Sequence, residues 1–193
     1  NWSRGDRDKR GINTIEKKEE VLNHKFWMEL YKANHCFSSI STMISRHEKR
    51  NAESRISNLK TFGYMQSIQV RQEAQQAGYD EGIMISTNGE ISCGSVGNLL
   101  IYRNNQWLTP ALTSGCLPGV MRERGLKLGI FEEAHLEPTP LKEDQWLLIN
   151  SLGCRPINQI NHHKLEVFEN PEKLWLSLLN REETIKIMSN QLK

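Results

Sequence analysis

At 193 residues, with 37% hydrophobic and 25% charged positions, the chain has the length and apolar share for one sizeable globular core. A formal charge of +2, from 25 basic against 23 acidic residues, is too balanced for a nucleic-acid-binding face. No apolar run approaches the roughly 20 residues that span a bilayer, so neither nucleic acid nor membrane is expected as a partner.

The chain opens Asn1-Trp2-Ser3-Arg4-Gly5 without an initiator Met, which reads as a start inside a longer protein. Residues 1–20 are polar and charged, a loop or the trailing edge of an earlier domain. Residues 1–36 are therefore expected to be the remnant of an N-terminal domain and its linker, and 37–193 the principal domain. Residues 26–31 show no clear period. Residues 37–45 alternate, with Ile40, Thr42 and Ile44 on one face, and predict a strand. The polar stretch 46–58 predicts a loop leading to Leu59-Lys60. From Met65 the spacing of Tyr64, Ile68, Arg71 or Gln72, Ala74 and Gln75 predicts a helix, with Gly78 as its stop.

Residues 82–86, Asn88-Gly89 and 90–93 read as strand, turn and strand, a strong hairpin signal. Residues 99–102 and 106–109, joined by Asn104-Asn105, predict a second hairpin that Pro110 ends. Next come a loop over 115–119, a helix over 120–128 closed by Gly129, and a strand over 145–149 running into Asn150-Ser151. Residues 171–192 predict a last helix, with Pro171 near its start and Leu174, Leu178, Ile185 and Met188 as its apolar side. The sum is an α+β domain built largely on hairpins.

Four cysteines, Cys36, Cys93, Cys116 and Cys154, form no C-x-x-C pair and stand at no zinc-finger spacing. They read as free thiols in a reducing compartment, hence a cytoplasmic protein. The adjacent His162 and His163 diverge on any regular backbone, which argues against a metal site. The early basic residues, among them Arg46, Lys49 and Arg50, read mainly as solvated surface.

Three turns carry the pattern of a phosphate site: Gly94-Ser95-Val96-Gly97-Asn98, Leu117-Pro118-Gly119-Val120-Met121, and Asn150-Ser151-Leu152-Gly153. Bare amides in a nest or at a helix start aim partial positive charge at an anion. Each turn alone is more often an ordinary connection. Neither G-x-x-x-x-G-K-[ST] nor G-x-G-x-x-G occurs, so a nucleotide is not indicated.

In their order, however, these turns and the segments Lys60-Thr61-Phe62-Gly63-Tyr64 and Ala77-Gly78-Tyr79-Asp80-Glu81 resemble the class IV (fold-type IV) aminotransferases, which use pyridoxal 5'-phosphate. The resemblance runs from about Ser3 to Ile157. It implies the large domain of the D-amino-acid aminotransferase-like fold, a hairpin-rich pseudo-barrel with flanking helices, and a homodimer. Ser3-Arg4-Gly5 with Arg10-Gly11, Met121 where transaminating relatives usually carry Thr, and Asn150-Ser151-Leu152 with Pro156-Ile157 resemble the aminodeoxychorismate lyases within the family. The activity this likeness implies is lysis of aminodeoxychorismate to 4-aminobenzoate and pyruvate. A branched-chain or D-amino-acid transaminase is the alternative, and a degenerate, non-catalytic member the third reading.

By resemblance, Lys60 is the Schiff-base lysine that then shuttles protons, a task that needs a neutral amine, which burial and a neighbouring cation favour. Tyr64 lies beside the cofactor ring. Gly97 and Asn98 form the first phosphate-holding turn. Leu117, Gly119, Val120 and Met121 form the second, and Asn150, Ser151 and Leu152 the third, with Ser151 also facing the substrate carboxylate. Arg46 and Arg4 are the candidate carboxylate-binding arginines. Cys93 stands where the family places a glutamate that keeps the pyridine nitrogen protonated. It is either a thiolate paired with that nitrogen or a neutral thiol beside an unprotonated ring, unless it marks an inactive site.

Overall fold

The computed structural model describes residues 2–3, 25–26 and 28–179. They fall into two compact units, Asn1–Asn34 and His35–Lys193. In the first, β1 (Trp2–Ser3) pairs antiparallel with β2 (Lys25–Phe26). The second carries all the remaining elements.

The predicted strand after residue 37 is β3 (Ile40–Ile44). Beyond it the polar stretch contains a 3-10 turn over Arg55–Asn58, and α1 runs Met65–Gln76. Gly78 ends that helix with φ +83°. The buried face of α1 is Val70 and Ala74, whereas Ile68 is half-exposed. The reason lies beneath it. A Cβ at Gly82 would stand 2.5 Å from Val70 Cγ1, so the helix rides directly on strand backbone there.

Both predicted hairpins are present. β4 (Glu81–Ile85) and β5 (Ile91–Gly94) are antiparallel, with Gly89 at φ +91° in the turn. β6 (Asn98–Arg103) and β7 (Gln106–Pro110) turn through Asn104 and Asn105, both at positive φ (52° and 62°), as a two-residue primed turn requires. α2 (Val120–Lys127) precedes a strand not foreseen from the sequence, β8 (Phe131–Ala134), parallel to β7. β9 (Gln145–Asn150) then pairs with a second unforeseen strand, β10 (Gly153–Ile160). A two-residue strand, β11 (His163–Lys164), and α3 (Pro171–Ser177) complete the described chain. The predicted apolar positions Ile185 and Met188 lie outside the described residues.

β10 pairs with both β3 and β9, and β9 with β6, so β10-β3-β4-β5-β6-β9 closes into a six-stranded barrel-like ring. The fold is α+β, as the sequence predicts. Ile40, Ile83, Ile91, Leu99, Ile101, Trp146, Leu148 and Ile157 pack on one face of this sheet. Leu100, Leu147 and Ile149 alternate to the other face and meet Met121 of α2 and Trp175 of α3. Val70, Met84, Cys93 and Cys116 form a third cluster under α1. Arg122, buried in α2, donates to Pro110 C=O at 2.8 Å and pairs with Glu133, which fixes the start of α2 against β7 and β8. The four cysteines are free thiols, and no described helix is long and apolar enough to cross a membrane.

Candidate active site

The β5–β6 turn, the loop entering α2 and the β9–β10 turn are separated by many residues, yet side chains of two asparagines tie them together. Cys93 and Asn98 face each other across β5 and β6. Asn98 is buried and donates from Nδ2 to Leu117 C=O at 2.7 Å, joining the first turn to the second. Asn150 donates from Nδ2 to Val96 C=O at 3.2 Å, joining the third turn to the first. Its Oδ1 accepts from Leu152 N–H at 2.8 Å, and its carbonyl accepts from Trp175 Nε1 at 2.9 Å.

Two glycines permit this closeness. A Cβ on Gly119 would fall 2.1 Å from Asn98 Oδ1, and one on Gly97 would meet Ile149 C=O at 3.2 Å. Gly119 caps α2, whose first amides, those of Val120 and Met121, have no carbonyl partner within the helix. Val120 is exposed, whereas the Met121 side chain turns inward to the second core cluster, so only its backbone is available to a ligand. Ser95, in the first turn, has a buried hydroxyl with no hydrogen-bond partner. Glycine-lined backbone, a helix start and an unpartnered hydroxyl make a donor set suited to a phosphate monoester. Ser151 and Leu152 are exposed at the tip of the third turn.

Lys60 lies on the irregular segment between the 3-10 turn and α1. Its Nζ donates to Tyr64 Oη at 2.5 Å and lies 5.1 Å from that ring's centroid. Tyr64, four residues after the lysine, caps α1. Lys60 is exposed, so these residues do not supply the burial expected around its amine. What secures the segment is Asn58, a residue that no sequence motif singles out. Its Nδ2 donates to Cys116 C=O at 2.8 Å and Leu112 C=O at 3.3 Å, tying the approach to Lys60 to the loop that enters α2.

Cys93 is buried, and loss of hydration pushes its thiol up to about 11, against the pull of the Arg50 cation. At neutral pH this burial favours the thiol over the thiolate.

Arg46 is not brought to this cluster. Its backbone N–H donates to Glu73 Oε1 at 2.9 Å, towards the far end of α1. It lines a cavity of about 520 Å³ with Tyr79, Asn161 and His162 instead. Arg4 lies outside the described residues. Among the described residues no group of three or more His, Cys, Asp or Glu side chains is placed to hold a metal ion.

Comparison with known proteins bears on this arrangement. The family model for amino-transferase class IV matches residues 1–160. Over 65 residues, 34% of this chain and 21% of the relative, the sequence is 42% identical to the branched-chain-amino-acid aminotransferase of Escherichia coli K12. Over 85 residues, 42% of this chain and 37% of the relative, it is 33% identical to a Schizosaccharomyces pombe protein provisionally named an aminodeoxychorismate lyase. Among solved structures, a provisionally named 4-amino-4-deoxychorismate lyase of Legionella pneumophila superposes with a TM-score of 0.67 at 22% identity, covering 79% of this chain and 58% of that one. A branched-chain aminotransferase of Thermoproteus uzoniensis gives 0.68 at 23%, covering 81% and 57%. At such identities the structural likeness is one of fold. The chain spans from about a fifth to under three fifths of the length of these relatives.

Proposed function

The chain belongs to the class IV aminotransferase family, and we propose that it acts as a pyridoxal-phosphate-dependent lyase converting aminodeoxychorismate to 4-aminobenzoate and pyruvate. The observation that carries cofactor use is the convergence of three sequence-distant turns on one another, with the Lys60 segment tied to the second of them. Gly97, Asn98, Gly119 and the amides of Val120 and Met121 would hold the phosphate, Asn150, Ser151 and Leu152 would wall it, and Lys60 would meet the aldehyde.

The bound cofactor supplies an electron sink next to the substrate nitrogen. Lys60 Nζ would take the proton from the substrate carbon that bears the amine. The neighbouring C–O bond then breaks with its electron pair, and the departing enolpyruvyl group gains a proton to become pyruvate. Tyr64 Oη, already bonded to Nζ, orients the amine and shares its proton between steps. The product ring becomes aromatic, which lowers the demand on the sink. A neutral Cys93 thiol, unable to hold a pyridine nitrogen protonated, suits such an elimination better than it suits transamination.

The higher local identity to a branched-chain aminotransferase favours the transaminase as the second reading. The purified chain supplied with pyridoxal phosphate separates the two. We expect 4-aminobenzoate from aminodeoxychorismate and none from Lys60→Ala. Amino-group transfer from amino acids to 2-oxoglutarate with no 4-aminobenzoate would reverse the assignment. A homodimer and a cytoplasmic setting belong to the same proposal, the first open to sedimentation analysis.

A further inference from the structure

Arg50 has no part in the proposed chemistry. It is half-buried, and its own backbone is locked to the end of β4: its N–H donates to Ile85 C=O at 2.9 Å and its C=O accepts from Thr87 N–H at 2.8 Å. From that base the guanidinium donates in three directions. Nη2 reaches Ser57 C=O, Nη1 reaches Gln66 Oε1 at 3.1 Å, and Nε reaches Gly115 C=O at 3.1 Å. Ser57 lies just before Lys60 in the chain and Gln66 just after it, in the first turn of α1. Gly115 opens the loop that runs to Gly119 and the start of α2.

Between the two holds, residues 59–64 belong to no helix or strand. Gln66 is itself fixed, donating from Nε2 to Glu48 Oε2 and Lys49 C=O, each at 3.0 Å. Gly115 sits at φ +78°, and a Cβ there would stand 2.9 Å from Asn51 C=O, so its loop is pressed against the segment that carries Arg50. We propose that Arg50 is a positioning residue whose guanidinium clamps the chain on both sides of Lys60 to the Gly115 loop, and so sets the separation between the reactive amine and the phosphate-holding turns. This rests on the reading that Lys60 carries the cofactor.

An arginine suits the task because its planar fork presents several donors in fixed directions, whereas a lysine at this position reaches one acceptor well. The neighbouring Cys93 thiol feels the same cation, so the clamp's charge also bears on that side chain.

The test titrates pyridoxal phosphate into the full chain, Arg50→Lys and Gln66→Met, recording the dissociation constant, the induced circular dichroism per bound cofactor and the thermal midpoint. We expect Arg50→Lys to weaken binding about tenfold or more and to reduce the induced signal per bound cofactor. Gln66→Met, losing one arm, changes both in the same direction by about threefold in affinity. A residue that only supports the fold would shift the midpoint and leave both cofactor readouts at parental values, and that result overturns the proposal. If Arg50→Lys does not fold, Gln66→Met decides by the same readouts. Absence of any induced signal in the parent would instead remove the cofactor reading, and this proposal with it.

Discussion

At the scale of single residues, Cys93 carries the most specific physical consequence. Its thiol ordinarily titrates near 9.0 and is pushed up to about 11 by burial. Below the ordinary value the folded and unfolded chains both keep the proton, and nothing is lost. Between about 9 and about 11 the unfolded chain releases it and the folded chain does not, so stability falls as pH rises through that window, by about 3 kcal/mol. Other buried thiols, Cys154 above all, slope the same way. The expected outcome is therefore a difference: urea unfolding across this range should show a shallower alkaline loss in Cys93→Ser than in the parent. Parallel curves would mean that the thiol is hydrated or already ionised. The residues legible in the sequence are those in short contiguous motifs, Lys60, Asn98 and Gly119 among them. Arg50 and Asn58 are not, because what gives each its role is a carbonyl 65 or 58 positions away.

Among the elements, the turns matter more to the site than the strands that carry them. Gly119 and Gly97 both permit close approach, but unequally. An added methyl at Gly119 lands on Asn98 Oδ1, and Asn98 cannot swing aside without breaking its bond to Leu117 C=O. At Gly97 the contact of 3.2 Å needs only a small backbone shift. We expect Gly119→Ala to cost about 1–3 kcal/mol of stability and to weaken cofactor binding about tenfold. Gly97→Ala should leave affinity within about threefold of the parent. Calorimetry and cofactor titration check this, and equal losses would contradict the packing described. The hairpins are legible because Asn-Gly and Asn-Asn turns punctuate them locally. β10 is not, because Arg155-Pro156 interrupts its pattern. The structure accommodates Pro156 where β10 is paired on one side only, to Leu147, before its pairing with β3 begins at Ile157. The buried face of α1 departs from the predicted spacing for a similar reason: it is set by bare backbone at Gly82, which hydrophobic periodicity does not register.

For the molecule as a whole, closure of the ring is the feature least visible in the sequence. It depends on β10 meeting β3, as in the bond from Thr42 Oγ1 to Gln159 C=O, across 117 positions. Within the ring, the pairing of β9 with β6 sets Ile149 opposite Asn98 and so brings the β9–β10 turn against the β5–β6 turn, and the loop into α2 completes the set. The placement of the turns thus follows from topology, while the chemistry assigned to them depends on one amine. Lys60 is exposed, and so are other lysines such as Lys49 and Lys127, which makes selectivity the decisive quantity. Borohydride reduction of the full chain after incubation with pyridoxal phosphate, followed by peptide mapping, measures it. The label should concentrate on the peptide containing Lys60 and vanish in Lys60→Ala. A label spread over surface lysines in proportion to their exposure, and unchanged by that substitution, would contradict the account.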